Sequence, residues 1–222
     1  METVIVTYDQ DLALAARAVD SLTRHSIGSA PNTIHIIVND GPAVFEQAQR
    51  QFGKLAHVYH YTDISSWIHA RSGWWSQQWL KLKACELVSG EWYIPFDSDM
   101  WISRSVLDRE LFNGRRALCN LRNRSIYDKQ FDEYVQNACT YWSVDPEDID
   151  EILRETPPNI LHKDTVKKML EEMSPWVFGS TQKPSLEFFV YWVYLYKNNL
   201  TGMYQHQPDW FWFGDTFHMD TY

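Results

Sequence analysis

Residues 92–101 read Trp92-Tyr93-Ile94-Pro95-Phe96-Asp97-Ser98-Asp99-Met100-Trp101. A short apolar run stops at two aspartates separated by one residue. On an extended backbone, residues two apart point to the same side, so Asp97 and Asp99 present two carboxylates together where a strand opens into a loop. Oxygen donors of this kind suit a hard divalent cation, Mg²⁺ or Mn²⁺, which commonly binds through one or two carboxylates plus the oxygens of a diphosphate. An Asp-x-Asp triplet also occurs as a simple helix cap. Its meaning therefore depends on what surrounds it.

Upstream, Thr3-Val4-Ile5-Val6-Thr7 predicts a buried strand of β-branched residues. Leu12, Ala15, Ala16, Val19 and Leu22 then recur at helical spacing over Asp9 to Thr23. Ile34 to Val38 predicts a second strand, ending in the turn signal Asn39-Asp40-Gly41-Pro42, and a helix follows from Ala43 to Phe52. Leu55 to Tyr61 predicts a third strand that ends at Thr62-Asp63. After Gly73 comes a helix over Trp74 to Val88, with Trp75, Trp79 and Leu82 on its apolar face and Gln77, Gln78 and Lys81 on the adjoining surface. Trp92 to Phe96 is the fourth strand. Strands alternating with helices imply a parallel sheet with right-handed crossovers, which binds ligands at the carboxyl ends of its strands. Tyr8, Asp40, Asp63 and the Asp97/Asp99 pair all fall at such ends.

Downstream the pattern is mixed. Ala117 to Leu121 predicts a short strand. Asp145 and Pro146 suit the N-cap and first position of a helix running to Arg154, stopped by Pro157-Pro158. Further helices are expected over Asp164 to Met173 and from Pro184-Ser185 to Asn198. With 222 residues and no repeat or linker, the chain reads as one domain, 1–222, with functional halves at 1–101 and 102–222.

The composition, 45% hydrophobic and 22% charged, is that of a folded globular chain. No apolar run approaches the roughly 20 residues needed to span a bilayer, and Met1-Glu2 leads straight into a strand, leaving no room for a signal peptide. Cys85, Cys119 and Cys139 are odd in number and form no CxxC pair, which argues against a disulfide framework or zinc knuckle and suits a reducing cytoplasm. A net charge of −9 disfavours wholesale nucleic-acid binding. The charge is uneven: seven basic residues (Arg104, Arg109, Arg115, Arg116, Arg122, Arg124, Lys129) against three acidic ones give a local +4 between Met100 and Gln130. That stretch is either an anion-binding patch or an ordinary ion-paired surface. Among eleven tryptophans, Trp74, Trp75, Trp79, Trp92 and Trp101 surround the aspartate pair in sequence, where exposed rings would stack on sugars or nucleobases.

This arrangement resembles the GT-A fold of nucleotide-sugar-dependent glycosyltransferases. The stretch Gly73-Trp74-Trp75-Ser76-Gln77-Gln78-Trp79-Leu80-Lys81-Leu82, followed by Tyr93 to Asp99, is similar to a group of small GT-A-like proteins. The resemblance implies an α/β fold with a mostly parallel central sheet flanked by helices, a donor half at 1–101, and a mixed α+β acceptor half at 102–222. It implies transfer of a sugar from a nucleoside-diphosphate sugar, a UDP-sugar foremost, to a hydroxyl acceptor with the help of Mn²⁺ or Mg²⁺. Thr7, Tyr8, Asp40 and Asp63 would line the nucleotide, although turn or cap chemistry accounts equally for Asp40. Gln77 and Gln78 join that donor set. Lys81 would support a phosphate or fix an aspartate. Asp97 would meet the ribose or a metal-bound water, and Asp99 the metal itself. A further metal ligand would come from His206 or His218, with His218 preferred. An inverting reaction needs a general base, for which Glu187 is the first candidate and Asp164 the second; a retaining reaction needs none. The acceptor stays open between a saccharide, a small metabolite and a hydroxymethylated pyrimidine in viral DNA, the last placing the enzyme in a host cytoplasm. A nucleotidyltransferase and a non-catalytic carbohydrate-binding protein are the lower alternatives.

Overall fold

In the computed structural model, residues 1–65, 73–178, 184–208 and 216–219 are described. The first half builds β1 (Glu2–Thr7), α1 (Leu12–Arg24), β2 (Thr33–Val38), α2 (Pro42–Phe52), β3 (His57–His60), a single-turn α3 (Tyr61–Ile64), α4 (Trp74–Lys83) and β4 (Trp92–Asp97). The second adds β5 (Met100–Ile102), β6 (Phe112–Asn113), β7 (Arg116–Cys119), β8 (Leu121–Asn123), α5 (Lys129–Trp142), β9 (Glu151–Leu153), β10 (Leu161–His162), α6 (Lys163–Glu172), α7 (Glu187–Lys197), β11 (Tyr204–His206) and β12 (Phe217–Met219).

The central sheet has the order β10-β4-β1-β2-β3, with β10 antiparallel and the other four strands parallel. All six residues of β1 are buried, as a central strand covered on both faces requires. Helix α1 sets Leu12, Ala15, Ala18, Val19 and Leu22 into the core, the stripe its spacing predicts. Each buried leucine or valine there contributes about 1.5–3 kcal/mol relative to exposure. The register pairs Thr7 with Val38, Val6 with Asp97, and Val38 with His60. The carboxyl ends of the four parallel strands are therefore level, and Tyr8, Asp40, Tyr61 and Ser98 follow along one rim. At the opposite end Glu2 ties the sheet together, accepting from the backbone N–H groups of Ser89 and Gly90 and meeting His35 Nε2 at 2.7 Å.

The second half departs from expectation in two places. Residues 146–154 form a 3₁₀ turn and then strand β9, not a helix. The cap is as predicted, with the Asp145 side chain accepting from Glu147 N–H, but Ile152 and Leu153 are buried and β9 pairs with β8, so tertiary pairing overrides the local helix signal. Helix α5 was not anticipated. Asp128 caps it by accepting from Phe131 N–H, Ser143 closes it in the left-handed region at φ 56°, and Tyr134, Val135, Ala138, Cys139 and Trp142 form its buried face. That face packs on α7, whose residues from Glu187 to Leu195 are buried all round. A helix apolar on every side belongs inside a core. The predicted strand over 117–121 splits at Asn120 into β7 and β8. Because β10 extends the sheet of the first half, the two halves share one sheet and one core.

Candidate functional site

Asp97 is the last residue of β4, and the chain turns at Ser98-Asp99 before β5. One oxygen of Asp97 is held by Lys81 Nζ at 2.6 Å. The same ammonium reaches Glu187 Oε1 at 3.0 Å. Lys81 is 5% and Glu187 2% exposed, so this is a buried triad bringing together α4, β4 and α7. Burial would strip the lysine of its proton, but the facing Asp97 and Glu187 carboxylates outweigh it and hold the group above the ordinary lysine range. Burial lifts Glu187 above the usual carboxylate range against the pull of Lys81. Gln78 is buried beside them, its side-chain oxygen accepting from Glu187 N–H at 3.4 Å.

Asp99 is placed differently. Its Oδ1 is buried and has no hydrogen-bond partner among the described residues. Burial, then the neighbouring charge of Asp97 and of Asp11, push its pKa up to about 6. Strand β12 pairs antiparallel with β5, setting His218 opposite Trp101 and Met219 opposite Met100. The His218 and Trp101 rings stack with centroids 3.9 Å apart, and the Arg17 guanidinium lies over the Trp101 ring at 4.3 Å. His218 Nε2 is also buried without a partner. Two orphaned donors on adjoining registers, one oxygen and one imidazole nitrogen, have the chemistry of a Mn²⁺ site. The described residues hold no ready-made group of three His, Cys, Asp or Glu side chains around a cation. Magnesium-type sites have the same incompleteness, since substrate phosphates supply the missing oxygens.

Asp11 escaped the sequence reading. It lies in the turn between β1 and α1, is 9% exposed, and accepts from Ser98 Oγ at 3.1 Å. The Tyr8 hydroxyl also bonds Asp11, and burial together with Asp11 and Asp99 raises its pKa. The signal was present as a second polar cluster, Tyr8-Asp9-Gln10-Asp11, at the end of β1.

The other predicted residues divide by position. Thr7 is fully buried at the end of β1. Asp40 has both oxygens engaged, with Asp9 N–H at 3.0 Å and Gly41 N–H at 2.6 Å, which is turn chemistry at the rim. Asp63 is exposed and caps α3, accepting from His60 N–H at 3.2 Å. Gln77 is half-buried on α4. Asp164 is a correction. It follows His162, which pairs with Trp92 at the beginning of β4, so five steps of about 3.3 Å separate that level from Asp97. It sits at the wrong end of the sheet. His206 Nδ1 accepts from Leu121 N–H at 3.0 Å beside β7, in a different sheet. Trp92 likewise packs against Phe112, His162 and Tyr204, away from the aspartate pair. The basic stretch is no continuous anion track: Arg104 pairs with Glu110, Arg122 with Glu155 and Arg124 with Asp132. The aromatic tail around Trp210 and most of the Gly179–Pro184 loop lie outside the described residues.

Helices flanking a mostly parallel sheet, with an acidic pair where β4 opens, define an α/β fold of the GT-A type. Mouse xyloside xylosyltransferase 1 in its apo form is similar over 90% of this chain and 83% of its own, with a TM-score of 0.50 at 10% identity. TarS of S. aureus is similar over 99% of this chain, with a TM-score of 0.51 at 11% identity, and this chain spans 36% of it. The chain belongs to the family of unknown function DUF6492, whose pattern matches residues 2–217. No protein of curated function matches the sequence.

Proposed function

We propose that this protein is a metal-dependent glycosyltransferase that moves a sugar from a nucleoside-diphosphate sugar to a hydroxyl acceptor. The observation that carries the reading is the unpartnered Asp99 Oδ1, with His218 Nε2 unpartnered nearby, at the carboxyl end of β4 in a GT-A-type fold. A fold neighbour that bears the name of a xylosyltransferase supports it.

Asp99 and His218 would hold the Mn²⁺ or Mg²⁺ ion, which when bound neutralises charge on the departing diphosphate. Asp97 has one oxygen fixed by Lys81 and presents the other to the ribose or to a metal-bound water. Tyr8, at the end of β1, adjoins the nucleotide. Glu187 is too buried to meet an acceptor hydroxyl in this arrangement; it acts through Lys81, keeping the ammonium charged and Asp97 in place. Residence in a reducing cytoplasm suits three cysteines that are all buried free thiols, and no described helix is long and apolar enough to cross a membrane. Pairing of Arg122 and Arg124 with Glu155 and Asp132 favours a saccharide or small-metabolite acceptor over DNA.

The test is a thermal-shift and calorimetric screen of nucleoside diphosphates and their sugars with and without Mn²⁺. At a hundredfold excess over Kd, binding stabilises the native state by about 2.7 kcal/mol. A Mn²⁺-dependent shift with one nucleotide, absent in Asp99→Ala, is expected, together with slow hydrolysis of the matching sugar nucleotide. Absence of any such shift in the unsubstituted protein refutes the reading.

A further inference from the structure

Between Asp97 and Asp99, Ser98 points the other way, into the protein, and is 6% exposed. Alternation along an extended backbone demands this: if the two carboxylates face the rim, the residue between them faces inward. A buried hydroxyl needs a partner, and Ser98 Oγ donates to Asp11 Oδ2 at 3.1 Å. Asp11 directly precedes α1 and is itself nearly buried. It is a charged acceptor, which makes the hydrogen bond stronger than one between neutral groups.

The turn is thus gripped at two of its three residues. Lys81 holds Asp97 from α4, and Asp11 holds Ser98 from the start of α1. Both anchors belong to well-buried parts of the first half. Asp99 alone keeps an unpartnered oxygen. A side chain following directly on a pinned residue inherits its direction from that pin.

Resting on the function proposed above, we infer that Asp11 is a positioning residue for the donor site: through Ser98 it fixes the direction in which Asp99 presents its carboxylate. Asp11 touches neither donor nor cation in this role. The Tyr8 hydroxyl, which also bonds Asp11, couples the same anchor to the end of β1.

The test uses Ser98→Ala, Asp11→Ala, the double variant, and Asp11→Asn, which retains an acceptor oxygen. Two quantities are read: Mn²⁺-dependent affinity for the nucleoside diphosphate selected by the screen, and amide hydrogen exchange over residues 97–101. Loss of an outer partner of a metal ligand typically weakens binding about 10–100-fold. Ser98→Ala and Asp11→Ala should each lose about tenfold or more and exchange faster at 97–101. The double variant should be no worse than either single change, because both remove one contact. Asp11→Asn should recover most of the affinity. A global structural role would instead lower melting temperature in step with affinity and would not be rescued selectively at the metal-dependent step. Wild-type affinity in Ser98→Ala, unchanged exchange, or additive losses overturns the inference while leaving the functional reading intact. No nucleotide binding by the unsubstituted protein overturns that reading, and the role of Asp11 in donor binding with it.

Discussion

Replacing Asp99 with asparagine should stabilise the free protein. The carboxyl group has a model-compound pKa of 3.8 and is pushed up to about 6 in the fold, by burial first and then by Asp97 and Asp11. An acid whose folded pKa lies above its unfolded one favours the protonated native state. Its penalty is therefore absent below about pH 4, grows as pH rises through the window from 3.8 to about 6, and is complete above it. At 1.36 kcal/mol per pKa unit the ceiling is about 3 kcal/mol. Asp99 is only partly buried, and solvent screening reduces this to about 1–2 kcal/mol. Asparagine keeps the shape and removes the charge. In a chain of this length each kcal/mol moves the melting temperature about 2–4 °C, so Asp99→Asn should melt about 2–8 °C higher at pH 7.5 and level with the parent at pH 4. Differential scanning fluorimetry across that range gives the answer. A variant that melts no higher at pH 7.5, or by the same margin at both pH values, refutes the electrostatic account of Asp99.

Lys81→Met removes the only cation of the buried triad and leaves Asp97 and Glu187 facing each other. Breaking a buried ion pair on one side costs about 3–5 kcal/mol. Urea unfolding should show a loss of that size, partly recovered when Glu187→Leu is added, and a loss below about 1 kcal/mol would show that water reaches the triad. At the other end of the sheet, burial would raise the pKa of Glu2, yet hydrogen bonds from Gly90, Ser89 and His35 prevail and lower it from 4.5 to about 2. Its contribution, at most about 3 kcal/mol, is present above pH 4.5 and disappears as pH falls through 2. Glu2→Gln should accordingly lose stability at pH 7 and converge with the parent near pH 2; a gap independent of pH would contradict this.

The donor half was largely legible because its signals are local and mutually consistent. β-Branched runs, helical spacing and turn residues fall in the order that only a parallel α/β sheet accommodates, and Asp97 and Asp99 emerge where that order places them. The second half was less readable for a physical reason. Its strands are two to four residues long, and β8, β9 and β12 exist because of partners far away in sequence. Glu151-Ile152-Leu153 carries no period long enough to separate strand from helix, so pairing with β8 decides it. Asp164 shows the same gap in the site: its sequence neighbourhood is plausible for an acid–base residue, but only the antiparallel pairing of β10 shows that it lies beside the beginning of β4. Lys81 offers the converse case. Its spacing on α4 suits a solvent-facing lysine, and only the depth of α7 makes it the buried tie between Asp97 and Glu187.

Asp11, Asp97, Asp99 and Glu187 set four carboxylates around Lys81, with Asp99 the one left carrying an unpartnered buried oxygen. A residue kept for stability alone would not be arranged so, because an unsatisfied buried carboxylate weakens the native state. The proposed function gives that cost a counterpart: the interaction missing in the free protein is the one a divalent cation and diphosphate would complete. The two measurements on Asp99 are then linked in sign. Neutralising it should raise the melting temperature of the free protein and abolish the Mn²⁺-dependent nucleotide shift in the same variant. A purely structural aspartate would give the opposite pattern, with lower stability on substitution and no effect on a ligand it does not meet. Stability gained together with binding lost is the signature that separates a ligand-directed carboxylate from a structural one.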